Sequence, residues 1–422
     1  MSSFSIPLSG LTASSTALST VANNLSNLNT VGYKDQEVQF SDLFYENLGT
    51  DGAGDPIQQG AGTAVSSISS DFTEGNVTST GIDTDVAING NGFFVVQSNG
   101  IQSYTRAGNF EIGTDNLLET TDGQQVLGYQ AVNGVINTTG GLGTLALGAG
   151  TISPATATTT VQLTSNLSAT DPVNNTYSTN VTVYDSLGAS HNITFTFTNE
   201  GDNTWGYQAT IPAADITPTP GTTLTNPVVL AQGTLTFNGD GDLISPTAAK
   251  GNIAISTASF GTMTDGANAL SFNWELYNQN DNGLLTQTAA PDSTSSIEQN
   301  GNSSGTLVSF NIGSDGTITG SFSNGTTAVL GQIALANFAD EQGLSRVGNN
   351  DYAPTLASGQ ATIGTPGTGG LGTISGGSLE QSNVNIATEF SNLIIAQSSY
   401  EANAKVITTF DQITQDTINI KQ

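Results

Sequence analysis

A single histidine, His191, stands in a run that also holds Asp185, Ser186 and Ser190, the residue types of a nucleophilic triad. Triad members meet in space from strained or loop positions. These four follow one another along a single alternating segment, so the expectation is a surface or hairpin histidine satisfied by its neighbours. Asn238-Gly239-Asp240-Gly241-Asp242 and the stretch from Asn278 to Gly283 resemble the opening of a calcium loop. The twelfth position, where such a loop needs a bidentate carboxylate, is Ala249 in one and Ala289 in the other. Both are read as hairpin turns. Asn89-Gly90-Asn91-Gly92 leads into Phe93, the start of a strand and not of a helix, which removes a phosphate loop. The chain has no cysteine, so disulfides, thiolate metal sites and cysteine nucleophiles are excluded. Its 35 acidic residues supply carboxylate pairs by chance spacing alone. Nothing in the residues argues for an enzyme, a metal or a cofactor.

The informative spacing is at the two ends. Phe4, Pro7, Leu11, Ser14, Leu18, Val21, Leu25 and Leu28 recur every three or four positions, the seam by which one helix packs on another. The face opposite carries Ser15, Thr16, Thr20, Asn23, Asn24 and Asn27 in place of the Glu and Lys that support an exposed helix. Such a helix is weak alone. At the other end Ile386, Phe390, Leu393, Gln397, Tyr400, Ala404, Ile407, Phe410, Ile413, Thr417 and Ile420 repeat at the same steps. Tyr400 and Phe410 fall on this seam, so they read as helix packing, not as a ligand-stacking face. The two ends are expected to pair as a coiled coil, with subunits meeting there. The assembly seam is assigned to Leu11, Leu18, Val21, Leu25, Leu28, Ile386, Phe390, Leu393, Tyr400, Ile407 and Phe410.

Between the ends the period changes to two. Phe93-Phe94-Val95-Val96 reads as a short buried strand. Val181 and Val183 alternate toward a turn at Ser186–Ser190 and return through Ile193, Phe195 and Phe197. Leu270, Phe272, Trp274 and Leu276 form the cleanest strand. Asn29-Thr30-Val31-Gly32-Tyr33 reads as the helix stop, with Gly32 as a left-handed cap. The chain of 422 residues has room for several domains. The expected fold is mainly β and multidomain: nested, discontinuous β domains with N- and C-terminal α-helices. Residues 1–33 and 379–422 form the helical domain, and 34–66 with 363–378 a loop-rich, Gly-rich connector. Residues 67–150 and 290–362 form an inner β domain, and 151–289 an outer one.

The net charge of -29 reflects missing bases, since charged residues are only 10% of the chain. Lys34, Arg106, Lys250, Arg346, Lys405 and Lys421 stand singly, with no patch to neutralise phosphates. Nucleic acid and anionic membranes are not expected partners. No secretory signal appears at the start and no segment approaches about 20 apolar residues; export, if it occurs, is expected by another route, without a cleaved signal peptide.

Ala22-Asn23-Asn24-Leu25-Ser26-Asn27-Leu28-Asn29-Thr30-Val31-Gly32-Tyr33-Lys34 resembles the N-terminal signature of the flagellar rod and hook proteins. Leu379-Glu380-Gln381-Ser382-Asn383-Val384 and the later Lys405-Val406-Ile407-Thr408-Thr409 resemble their C-terminal signature. Tyr104-Thr105-Arg106-Ala107-Gly108-Asn109-Phe110 and Val126-Leu127-Gly128-Tyr129 are similar to the family's first β domain. The segments around Val183–Gly188 and Leu330–Ala334 resemble the longer, hook-type members; Leu28 departs from the family, where a smaller residue is usual. The resemblance implies a self-assembling tubular polymer of the extracellular flagellum. It joins rod to filament, bends as a universal joint and partners the rod, the hook cap, the hook–filament junction proteins and the export apparatus. It also offers Phe40 and Phe44 as an export signal, against the reading of a loop anchored by two aromatics. The alternatives are a distal rod protein, or another secreted β-rich surface structural protein.

Overall fold

The computed structural model describes residues 4–420 apart from 133, 149 and 248–250. Ala249, Lys250 and Lys421 lie outside the described residues. The fold is mostly β, with one helix at each end, and the chain divides into two compact units: Met1–Gly148 with Ser309–Gly320 and Ala328–Gln422, and Ala149–Val308 with Ser321–Thr327.

In the first unit, α1 (Ser5–Ser26) and α2 (Ile386–Ile420) pack together. The weak helix-formers of α1 are accommodated by back-bonding: the hydroxyls of Thr12, Ser14, Thr16, Ser19, Thr20 and Ser26 each donate to the carbonyl four residues earlier, which satisfies them without competing for backbone donors elsewhere. α2 is started by Asn385, whose side chain accepts from the Ala387 amide at 2.9 Å.

The segment after α1, expected to be loop, is instead a two-stage ribbon. β1 (Gln36–Asp42) pairs antiparallel with β4 (Thr63–Ser70), and β2 (Glu46–Thr50) with β3 (Pro56–Gln59). Its Gly and Asp-Gly signals mark turns inside the ribbon, not the absence of one. Farther along, β5 (Val77–Ser79) pairs with Ser378–Glu380 and β6 (Val86–Asn89) with Thr373–Gly376, so the segment expected as a C-terminal connector also forms strands. These pairings tie the chain's return path to its outward path. β7 (Phe93–Ser98) lies between β8 (Ile101–Thr105) and residues of Gln125–Val132 and Leu335–Asn337. Its apolar run is buried on both faces: Phe94 and Val96 enter one core cluster, Phe93 and Val95 another. That two-sided burial explains a continuous run in place of alternation.

In the second unit the alternation is clean. Thr176–Tyr184, Ser190–Gly201, Thr204–Ile211 and Val228–Phe237 form an antiparallel meander. Thr160–Ser168 pairs parallel with Ser271–Glu275 and Leu285–Thr288. Inward residues of both sheets share one core around Trp205 and Trp274, both fully buried, with Trp274 against Phe195 at 4.8 Å between ring centroids. Ser293–Gln299 pairs with Thr160–Ser168, so residues 290–308, expected in the inner β domain, belong to this unit. Ser293–Gln299 carries a single large apolar residue, Ile297, so no apolar alternation announced this strand or its partner.

Candidate functional site at the junction of the chain termini

The three signatures that carry the family resemblance converge on one buried carboxylate. Glu380, just before α2, is 1% exposed. It accepts from Lys34 Nζ at 2.7 Å and from Arg106 Nε at 2.9 Å, and from the Gly75 amide at 2.8 Å. Arg106 Nη1 also donates to the carbonyls of Gly90 and Gly92, and Lys34 Nζ to that of Thr73. Burial tends to raise the Glu380 carboxyl's pKa, but Arg106 and then Lys34 outweigh it and hold the group below its ordinary value. Burial lowers Lys34, and the neighbouring Arg106 lowers it further against the pull of Glu380. Two cations and one anion out of water form a site that is costly to break. Lys34 and Arg106 stand as isolated bases in the sequence; their places in separate signatures are the signal that could have joined them.

Gly32 closes the same junction. α1 ends at Ser26, so Gly32 is not its cap. Its positive φ of 65° and bare Cα let the chain lie on the Arg106–Ala107 backbone, where a Cβ would sit 2.6 Å from the Arg106 carbonyl carbon. The Gly32 amide donates to the Glu380 carbonyl at 2.8 Å.

Asn24, assigned by periodicity to the outer polar face, is fully buried. Its amide group donates to the Gln36 carbonyl at 2.8 Å and to Glu389 Oε2 on α2 at 3.0 Å, while its oxygen accepts from the Gln36 amide and the Tyr33 hydroxyl. The helix pair is therefore rotated from the expected seam. Phe4 meets Phe410 at 5.9 Å between centroids, a Cβ on Gly10 would sit 2.8 Å from the Asn403 side chain, and Asn24 meets Glu389. The helices run antiparallel, with small residues on the facing stripe: Ala13, Ser14 and Ala396 are buried. Small residues let the axes come close, which turns the larger ones aside. Of the expected seam, Val21 is buried; Leu11, Leu18, Leu25, Leu28, Leu393, Ile407 and Phe410 are half-buried; Ile386, Phe390 and Tyr400 are exposed. Phe390 is 53% exposed, and Ile394, Ile395, Ile413 and Ile418 extend the uncovered apolar surface of α2.

Phe40 lies in β1 and is exposed, and Phe44, between β1 and β2, is 95% exposed. Neither anchors a loop in a core.

His191 lies in the hairpin, as expected, but is buried. Its Nε2 is 3.0 Å from Asp185 Oδ2 and its Nδ1 3.3 Å from Asp215 Oδ2. Asp185 Oδ1 accepts from the Leu187 and Ala189 amides, which closes the turn. Asp185, His191 and Asp265 are the group whose ligand atoms come within 4.8 Å of one another among the described residues. Their geometry is that of a turn braced by a histidine, with no serine drawn in as a nucleophile. The loops at Asn238 and Asn278 are Asx turns, each side-chain oxygen accepting amides two and four residues on.

Four family models match: a flagella basal body rod protein model over residues 6–34, a flagellar hook protein FlgE/F/G D1 domain over 87–166, a flagellar basal body protein FlaE D2 domain over 151–302, and a flagellar basal body rod FlgEFG protein C-terminal model over 375–420. Among curated proteins, the chain is 38% identical to the flagellar hook protein FlgE of Salmonella typhimurium, over 99% of this chain and all of that one. It is 36% identical to that of Escherichia coli over 99% and 100%, and 32% identical to that of Treponema pallidum over 98% of each. The crystal structure of Helicobacter pylori flagellar hook protein FlgE2 shares the fold, with a TM-score of 0.50 at 14% identity over 72% of this chain and 100% of that one.

Proposed function

The chain belongs to the flagellar hook protein family, and from that premise we propose that it is the structural subunit of a hook, polymerising into a flexible tube that joins rod to filament and passes torque through a bend. The observation that carries the reading is the uncovered apolar surface of α2. An exposed Phe390 with Ile386, Ile394 and Ile395 beside it is a poor surface for a solitary helix and a good one for a helix covered by neighbouring copies. The seam residues Leu11, Leu18, Val21, Leu25, Leu28, Ile386, Phe390, Leu393, Tyr400, Ile407 and Phe410 then divide into two roles. Val21 and the half-buried residues pack within the chain and at its margins, while Ile386, Phe390 and Tyr400 meet the next subunit. The Glu380 junction fixes the helix pair to the β unit so that load on one reaches the other.

Export through the flagellar apparatus to the cell exterior fits the same reading, as do contacts with rod, cap and hook–filament junction proteins. In this reading Phe40 and Phe44 serve as the export signal; the exposure of both side chains supports it. Electron microscopy of concentrated purified protein tests the proposal. Curved tubes are expected, and a protein that stays monomeric, or forms amorphous aggregate, across salt and temperature contradicts it.

A further inference from the structure

A groove of about 530 Å³ runs between α1, β1 and α2, walled by Ala17, Val21, Val38, Phe40 and Ile395. Four carboxylates stand at it: Asp35, Glu37, Asp71 and Glu389. Among the described residues, Asp35 Oδ1 is buried with no hydrogen-bond partner, and the Glu389 carboxylate meets only the neutral amides of Asn24 and Asn392. Among the described residues no cation is hydrogen-bonded to them, although the charge of Lys34 is felt by Asp71. Lys34 and Arg106 are engaged by Glu380. Arg346 donates to the Lys34 carbonyl and to Ser70 and lies over the rings of Tyr33 and Tyr352. The remaining base among the described residues, Lys405, is exposed, and its ammonium has no described hydrogen bond or ion pair. It lies on α2 about 24 Å beyond Glu389, at 1.5 Å per residue, out of reach of its own groove.

Copies related by a screw operation keep their α2 helices in one sense, and a heterologous contact of this kind propagates instead of closing. We propose that the acidic groove is the docking slot for Lys405 of a second copy displaced along the α2 axis by about that 24 Å, the incoming helix covering Phe40 and Ile395. Uncompensated carboxylates beside an apolar wall are unfavourable in the single chain and become favourable once the ammonium arrives. The inference rests on the hook reading and adds to it the pair of surfaces that meet.

Carbodiimide treatment of the unmodified polymer tests the contact. An activated carboxyl is attacked by the lysine amine, an amide forms, and the carbodiimide leaves as its urea, having taken up the elements of water. Peptide mass spectrometry is expected to find Lys405 joined to Asp35, Glu37, Asp71 or Glu389 in covalent dimers. Intact polymer whose Lys405 is unmodified, or coupled elsewhere, overturns the proposal. As a second arm, Lys405→Glu is expected to raise the critical concentration roughly tenfold or more, the factor of a lost interfacial charge pair, while Lys405→Arg leaves it near wild type. Equal polymerisation of Lys405→Glu and wild type also overturns it. If the unmodified chain forms no polymer, the hook reading falls and the docking slot with it; if it forms tubes without the cross-link, only the docking slot falls.

Discussion

Glu380 holds two buried cations, so its neutralisation leaves charge without an answer. Glu380→Gln is expected to lose about 3–5 kcal/mol, the cost of breaking a buried ion cluster from one side, measured by urea unfolding. Gly32→Ala forces a side chain into the left-handed region, about 1–2 kcal/mol, and adds the clash with Arg106; it is expected to unfold at lower urea than Ala variants of neighbouring surface residues. Asp35 behaves in the opposite sense to Glu380. Burial, then the charge of Glu389, pushes its pKa up to about 6. A carboxyl raised in the folded state destabilises that state where it is ionised, and the penalty fades as pH falls from about 6 toward its unfolded value. Asp35→Asn is therefore expected to stabilise the single chain at pH 7, on the order of 1 kcal/mol after screening of a half-exposed group, with little gain at pH 4. Equal gain at both pH values contradicts this assignment. At this scale the sequence was partly legible: Lys34, Arg106 and Glu380 stood in signature segments, but only folding shows that separate segments share one carboxylate. Asn24 was misplaced because a heptad fit weights leucines, whereas the close contact selects Gly10, Ala13 and Ser14.

The helices were legible as elements, and their facing stripe was not. Low propensity in α1, with costly nucleation, leads to the expectation that the termini depend on company. The geometry narrows it. Phe4 already faces Phe410, so residues 411–420 of α2 run on beyond the described start of α1. Amide exchange is expected to be fast over 411–420 in the monomer and slow in the polymer; strong protection there in a verified monomer contradicts the idea. The β1–β4 ribbon escaped sequence reading for a different reason. Its strands are short, largely exposed and broken by register shifts at Gln39/Phe40 and Asn47/Gly49, so no apolar alternation announces them. The meander of the second unit, buried on one face, announced itself through Val181, Val183, Ile193, Phe195 and Phe197.

Across the whole molecule, the second unit is entered and left at neighbouring points, since Ile152 pairs with Thr306 and Thr156 with Asn302. Replacing residues 157–301 by a short Gly-Ser linker is expected to leave the first unit folded and able to form tubes. Those tubes are expected to be straighter, if outer units touching one another hold the curve; loss of all polymer with the first unit intact places the excised region in the tube wall. In the proposed hook, α2 is left uncovered in one chain because other copies cover it. Helical reconstruction of the purified polymer by electron cryomicroscopy tests that most directly. The α1–α2 pair is expected to pack against neighbouring copies, with Ile386, Phe390 and Tyr400 buried between subunits. Terminal helices projecting free, with Phe390 in solvent and subunits joined only through β surfaces, contradict it.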